Sequence, residues 1–369
     1  MTKLAILVLF TVILISGCVQ QPTQIINKTI KIGFIAPLTG PVPECGLNMQ
    51  IGLDMAKKLS DVKNIEFIVE DDQFNPSAST VITHKLIEQD GVDIIIGPCS
   101  SSTVLSDAPI AENAKVILIT PTGFADKISE AGDYIFRAAT TAGDDTPRIV
   151  DFVINDLNET RIGVIYLNND FGVSYRNRTE ALLKENGINV LLSEAANPPD
   201  RDFRTVLQKM KNADVRVIII ATSCCSIPVN IVKQAKELNL DFIYVGAGTL
   251  EDEQFLRGAE EASEGLYVLS TIDFSEENIR SNADLKRFVD VFSEYYHDKL
   301  PNRDRVQTFI TVSLIAEAVK ICGADADCVR GWLYGVKDEQ TVLGPITINE
   351  FGDVKYSNFV FKQVRNGTF

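Results

Sequence analysis

Histidine is nearly missing from this chain: 369 residues carry two, His84 and His297. His84 falls inside an amphipathic helical pattern and His297 follows Tyr295-Tyr296 near a helix end, so both read as surface or packing residues. With so little imidazole, Ser-His-Asp, Cys-His and multi-histidine zinc chemistries have almost no material. A Gly-x-Ser-x-Gly elbow, a Walker Gly-Lys-Ser/Thr loop and a His-Glu-x-x-His run are absent as well. Gly246-Ala247-Gly248 lacks the third glycine of a dinucleotide fingerprint. The expectation is a protein that is not an enzyme and that uses no cofactor and no metal. Positive charge is also short, with 35 Lys and Arg against 50 Asp and Glu, a net charge of −15 and a pI near 4.7. That balance argues against nucleic acid, which needs clustered cations, and against a peripheral grip on anionic lipid. Beyond the first residues no apolar run reaches the roughly 20 positions that a bilayer span needs.

What is present begins at the N-terminus. Lys3 precedes an almost wholly apolar stretch, Leu4 to Ile15, which ends in Ser16-Gly17-Cys18. A positive start, a short apolar core and small residues at the cut form a secretory signal. A cysteine directly after the Ser-Gly pair resembles the lipobox of a bacterial-type lipoprotein. The resemblance implies that residues 1–17 are removed and that Cys18 is lipidated. Residues 18–29 would then be a polar tether, and the body an exported domain at the outer face of the cytoplasmic membrane. That body, of about 350 residues, fits two domains of ordinary size. Its 45% hydrophobic and 23% charged residues are a globular composition.

Six cysteines follow Cys18: Cys45, Cys99, Cys224, Cys225, Cys322 and Cys328. An even number in an exported chain favours disulfides over free thiols. Cys322 and Cys328 flank Gly-Ala-Asp-Ala-Asp between two helical segments, and are expected to form a structural staple. Four Asn-x-Ser/Thr sequons, at Asn27, Asn158, Asn177 and Asn366, are compatible with surface glycosylation.

Along the chain, short β-branched runs alternate with longer amphipathic ones. The pattern predicts strands over 31–37, 65–70, 93–97 and 116–120, with helices over 47–59, 78–88 and 104–113 between them. A second set follows, with helices over 146–157, 173–186, 202–212 and 227–238 and strands over 161–167, 189–194, 215–221 and 242–246. Such alternation means βαβ units and parallel sheets covered on both faces. Long helices over 282–298, 307–322 and 327–336 come next, then β-structure over 345–349 and 354–364. This tail holds too little strand for a third domain, so the chain is expected to cross between the first two more than once. The assigned pieces are 30–141 plus 272–353 for one lobe and 142–271 plus 354–369 for the other.

Polar groups gather at the carboxyl ends of the strands, where open parallel sheets bind ligands. Pro98-Cys99-Ser100-Ser101-Ser102-Thr103 leads into a helix, and hydroxyls with free N–H groups there suit a carboxylate. Plain N-capping is the competing use, and needs only one of the serines. Pro121-Thr122-Gly123-Phe124, Asn168-Asn169-Asp170-Phe171-Gly172, Thr222-Ser223-Cys224-Cys225-Ser226 and Ala247-Gly248-Thr249 occupy the ends of other strands. Asp71-Asp72 reads as a pair that ends a strand and caps a turn rather than as an acid pair for chemistry.

Several segments taken in order resemble the branched-chain amino acid (Leu/Ile/Val) type of periplasmic binding protein. They are Ile32-Gly33-Phe34-Ile35-Ala36-Pro37-Leu38-Thr39-Gly40-Pro41, then Asp71-Asp72 with Asn75-Pro76, then Ile96-Gly97-Pro98-Cys99-Ser100-Ser101-Ser102-Thr103. Ile119-Thr120-Pro121-Thr122, Asp170-Phe171-Gly172, Asp202-Phe203, Gln234-Ala235, Gly344-Pro345-Ile346-Thr347 and Gly352-Asp353 continue the match, which covers about residues 30–365. The resemblance implies a type I fold. Two doubly wound, Rossmann-like α/β lobes are joined by a hinge that the chain crosses several times, with the ligand in the cleft. It also implies the substrate-binding lipoprotein of an ABC transporter, a monomer that closes on a small solute and presents it to a permease. A lipoprotein presenting ligand to a separate sensor is the alternative.

Carried over by the resemblance, Ser100 and the groups around Thr122 hold the ligand carboxylate, with Cys99, Ser101 and Gly123 beside them. Phe171 covers the ligand from the second lobe, and Cys224, Gly248 and Thr249 complete that side. Cys45 stands at the family's first-lobe aromatic position, Cys224 at another, and Phe124 replaces a hydroxyl residue. Cys45 and Cys99 both map close to the cleft, where a disulfide between them is one arrangement. Cys224-Cys225 would either form a vicinal disulfide or stay as thiols. The family's carboxylate for a ligand ammonium falls nearest Gly248 here, with Glu251 and Asp252 a few residues on. Since a buried ammonium without a counter-charge is costly, either Glu251 or Asp252 moves in or the ligand is not a simple α-amino acid. Amides, urea-like solutes and small carboxylates then become candidates.

Overall fold

A computed structural model describes residues 29–60, 62–222, 226–297 and 301–369. The signal segment, Cys18, Asn27, Cys224 and Cys225 lie outside the described residues. The first half-chain builds a parallel sheet of five strands in the order β2-β1-β3-β4-β5. Its strands are β1 (Ile30–Ala36), β2 (Ile65–Asp71), β3 (Ile94–Ile96), β4 (Ile117–Thr120) and β5 (Ile135–Arg137). Helices α1 (Pro43–Leu59), α2 (Pro76–Lys85) and α3 (Ser101–Ala114) connect the first four. Ile94-Ile95-Ile96 is wholly buried because both faces of the sheet are covered by helices. Each such isoleucine contributes about 1.5–3 kcal/mol by leaving water.

The chain then enters a second sheet through α4 (Ala142–Asp151), which starts on a capping box between Thr141 and Asp144. Strands β6 (Ile162–Leu167), β7 (Leu192–Ala196), β8 (Val217–Ala221), β9 (Ile243–Gly246) and β10 (Tyr267–Ser270) are linked by α5 (Asp170–Glu185), α6 (Arg204–Asn212), α7 (Ser226–Glu237) and α8 (Glu253–Ala259). After β10 the chain returns to the first body with α9 (Glu276–Ser281), α10 (Ala283–Tyr295), α11 (Arg303–Cys322) and α12 (Ala326–Tyr334). Leu285, Phe288, Val306, Ile310 and Ile315 from these helices share one core with Ile32, Phe34 and Met49 of the first body. A small antiparallel sheet of β11 (Glu339–Thr341), β12 (Gly344–Ile348) and β13 (Val354–Tyr356) packs into that core too. The last strand, β14 (Val360–Gln363), crosses again and pairs antiparallel with β10. The fold is therefore two α/β lobes joined by three crossings, with sheet order β14-β10-β9-β8-β6-β7 in the second.

The β-structure expected over 354–364 is two strands in two different sheets, because residues 357–359 carry the last crossing. Five elements had no counterpart in the sequence pattern: β5, α8, α9, β10 and β11. Each is short, and tertiary pairing rather than periodicity sustains strands of three or four residues. Helices begin earlier than their apolar faces suggest, since Pro43 and Pro76 take first-turn positions and Asn75 accepts from Ser77 N (2.8 Å) and Ala78 N (3.2 Å). Cys322 at the end of α11 and Cys328 in α12 are joined as a disulfide, with Cα atoms 5.5 Å apart.

Asp71 and Asp72 fasten turns. Asp71 Oδ1 accepts from Leu38 N (2.8 Å) and Gln73 N (3.0 Å), while Thr39 Oγ1 donates to Oδ2 (2.6 Å). Asp72 is fully buried; burial and then the neighbouring Asp71 charge push its pKa up to about 6, against the pull of the Phe74 N–H. Asp107 on α3 is buried nearby against Ser79 (2.5 Å), and burial pushes it up to about 7. Both acids keep their protons in the native state at pH values where the unfolded chain has released them. Native stability is therefore expected to fall as pH rises from about 4 to about 7, by up to about 1.4 kcal/mol per pH unit for each retained proton. Urea unfolding at pH 5 and pH 7.5 measures this, and Asp107→Asn should flatten the slope. A stability that rises across this window would refute the assignment.

Candidate functional site

The carboxyl ends of β3, β4, β6 and β9 point at one another across the gap between the lobes. Loops leaving them line a cavity that opens to solvent. Cys99, Ser100, Ser101, Thr122 and Phe124 line it from the first lobe, and Asn169, Phe171 and Thr249 from the second. Val42, Cys45, Asn48 and Phe74 add a wall from the loops and helix after β1 and β2, and Asp304 closes it from the start of α11. Cys45 and Cys99 are joined as a disulfide, their Cα atoms 6.5 Å apart, so this wall carries no thiol.

Ser100 is the residue before α3, yet its side chain makes no capping hydrogen bond. The first-turn amides of a helix have no intrahelical acceptors and carry its positive dipole end. A 7% exposed serine beside them, lining the cavity, offers a carboxylate one hydroxyl and free N–H groups. The adjacent serines are differently engaged. Ser101 Oγ accepts from Phe124 N (3.0 Å) and Ala125 N (3.1 Å), which ties the next loop to α3. Ser102 Oγ donates across the gap to Asp170 Oδ2 (2.7 Å). Thr122 Oγ1 donates to Cys99 O (3.1 Å), fixing two cavity loops together.

Phe171 faces Phe124 across the cleft with ring centroids 5.8 Å apart, and packs on Tyr175 at 4.8 Å. The Arg303 guanidinium lies over the Phe124 ring at 4.5 Å. Arg303 in turn donates to Asp145 Oδ2 (3.0 Å), and the Tyr175 hydroxyl donates to the same carboxylate. Burial, and next the Asp145 charge, hold the Tyr175 pKa well above its usual value. An aromatic and ionic column therefore runs behind the cavity from α11 through α4 to α5.

Gly123 and Gly248 do not line the cavity. Gly123 stands behind the loop, where its carbonyl accepts from Arg137 Nη1 (3.3 Å). Gly248 makes room for Arg303, since a Cβ there would fall 2.0 Å from Arg303 Nη1. Glu251 and Asp252 do not line it either. Glu251 is buried against Lys362 and Ser270 Oγ (2.5 Å). Asp252 accepts from Asn48 (2.9 Å) and Asn302 (2.8 Å) and caps α8 through Gln254 N (2.7 Å). The acid that reaches the cavity is Asp304, which burial pushes up to about 7 although the Arg303 charge opposes the shift.

The sequence profile of the family described as periplasmic binding protein matches residues 29–368. The chain belongs to that family. This binding protein is 27% identical over 344 residues to the leucine-, isoleucine-, valine-, threonine- and alanine-binding protein of Pseudomonas aeruginosa, covering 90% of this chain and 88% of that one. It is 22% identical over 365 residues to the Leu/Ile/Val-binding protein of Escherichia coli, covering 96% and 97%. Its fold is similar to that of a leucine-binding protein of Thermotoga maritima, with a TM-score of 0.83, 22% identity and coverage of 92% and 96%. A solute-binding protein of R. palustris solved with benzoate superposes with a TM-score of 0.83 at 19% identity, covering 92% and 94%. The binding protein is a solute receptor and not an enzyme. Its sequence left Asp304 unmarked because the apolar face of α11 starts at about residue 306, so the polar run before it read as a loop. Asn302-x-x-Arg305 was the available signal: Asn302 Oδ1 accepts from Arg305 N (3.1 Å), which starts the helix early enough to carry Asp304 into the cleft.

Proposed function

We propose that this protein is the extracytoplasmic receptor of an ABC importer, binding an amino acid or a related small carboxylate between its lobes and delivering it to a permease. The cavity carries the reading: an unused serine hydroxyl at the N-terminus of α3 and an aromatic lid, Phe171, converge on it from opposite lobes. Ser100 with the α3 amides holds the carboxylate; Thr122, Thr249 and the Cys45–Cys99 wall surround the remainder. The moving units are 30–141 with 272–353 and 142–271 with 354–369, less the strand 354–356, which pairs with β12. Closure swings them about the three crossings, and contacts such as Ser102 to Asp170 form as the lobes meet. Lipid on Cys18 keeps the receptor at the outer face of the cytoplasmic membrane, beside its permease.

Thermal-shift and calorimetric titration of the purified protein against amino acids, amides and aromatic carboxylates tests the reading. At least one carboxylate is expected to raise the melting temperature, and Ser100→Ala to weaken its binding about tenfold or more, the worth of a hydrogen bond to a charged group. No shift with any of these solutes, or turnover of a bound one, would remove the proposal.

A further inference from the structure

We propose that the Cys45–Cys99 disulfide is a strap that holds the Ser100 loop in its binding geometry, so that solute affinity follows the oxidation state of this one bond. The proposal rests on the reading of the cleft as the solute site. Cys99 directly precedes Ser100, and Cys45 lies in the first turn of α1. Both line the cavity, and both are buried. In the first sheet β3 lies between β1 and β4, so the loop after β3 has a neighbour on each side. Its hydrogen bonds run toward β4. Gly97 N donates to Ile119 O (2.9 Å), Thr120 Oγ1 to Pro98 O (2.7 Å) and Thr122 Oγ1 to Cys99 O (3.1 Å). The disulfide fastens the loop on the other side, to the helix that follows β1. That helix is itself fixed. Asn48, one turn beyond Cys45, accepts from Arg305 Nε (2.9 Å) and donates to Asp252 Oδ2 (2.9 Å).

The Ser100 side chain makes no capping bond, so its aim into the cavity depends on the backbone that carries it. A binding group has to be held to within about 0.5 Å of its productive position. The strap joins residues 54 apart in sequence, and cutting it returns freedom to the link between α1 and the loop. Reduction proceeds by two exchanges. A small thiolate attacks one sulfur, forms a mixed disulfide and expels the other sulfur as a thiolate, which takes up a proton. A second small thiol then displaces the protein from the mixed disulfide. Two external thiols become one disulfide, and their two electrons and two protons pass to Cys45 and Cys99. If the oxidised protein binds solute more tightly, solute must favour the oxidised protein by the same factor. Cys322–Cys328 does not line the cavity and serves as the internal control.

The test is calorimetric titration with isoleucine and with benzoate of the oxidised, thiol-reduced and reoxidised protein. The Cys45→Ala/Cys99→Ala variant, which keeps Cys322–Cys328, isolates the strap. The probe that binds the oxidised protein is expected to bind the reduced protein and the variant about tenfold or more weakly, and reoxidation to restore its affinity. In a fixed buffer of reduced and oxidised dithiothreitol, saturating probe is expected to shift the Cys45–Cys99 equilibrium toward the disulfide by that same factor. Alkylation and peptide mass mapping read this shift, and Cys322–Cys328 should not move. Ser100→Ala supplies a readout that a merely stabilising bond would leave alone. It should cost about tenfold in the oxidised protein and less than about twofold in the Cys45→Ala/Cys99→Ala background, where the serine is no longer aimed. An equal loss in both backgrounds, or an affinity that reduction leaves unchanged, overturns the strap and leaves the receptor reading intact. Loss of the folded circular dichroism spectrum on reduction makes the bond a global staple and overturns the strap as well. Failure of both probes and of the wider solute screen on the oxidised protein overturns both readings.

Discussion

Asp145→Ala is expected to lower stability by about 3–5 kcal/mol, the cost of leaving a buried cation without its partner. Asp145 is fully buried and Arg303 is 1% exposed, and their contact joins α4 of the second lobe to α11 of the first. Tyr175 loses its acceptor in the same substitution. Arg303 also lies over Phe124, so its displacement disturbs the wall of the cavity, and solute affinity should fall with stability. Urea unfolding followed by a solute titration measures both. Replacing Arg303 by methionine in the Asp145→Ala background should recover part of the loss, because an apolar pair removes the stranded charge. A single mutant as stable as wild type would show that the pair does not bind the lobes together.

Arg137→Ala is expected to act on the other side of the cleft with a similar cost. Arg137 is completely buried and donates from Nε (2.9 Å) and Nη2 (2.6 Å) to Asp353 Oδ1. It also donates to Ala125 O (2.7 Å), Gly123 O (3.3 Å) and Ser129 Oγ (2.5 Å). Its guanidinium thus fixes the loop that places Thr122 and Phe124, using an acid from the segment after β12. Alanine strands the Asp353 carboxylate and two carbonyls, at a cost of about 3–5 kcal/mol, and frees the loop, so solute affinity drops as well. The double mutant with Asp353→Ala should lose less than the sum of the two singles. Full additivity would mean that the two residues act independently.

Much of the site was legible as strand ends. Ser100, Thr122, Phe171 and Thr249 were marked because apolar runs stop just before them, and parallel sheets open at that edge. Asp304, Asn48 and Phe74 carried no such mark. Their places depend on how α11, α1 and the turn after β2 pack together over the first sheet. Gly248 was marked and stands back, because the space a side chain would need there belongs to Arg303, 55 residues later in the chain.

The sequence by itself determined the alternation of strands and helices, the two-lobed class and the disulfide between Cys322 and Cys328. These follow from local periodicity, residue type and spacing, which act over a few residues. Which cysteines meet across the first lobe, which arginines are paired with buried acids, and that Asp304 lines the cleft were decided by tertiary structure. Pairing of buried charges depends on distances between segments more than a hundred residues apart, such as Asp145 and Arg303, and no local pattern encodes them.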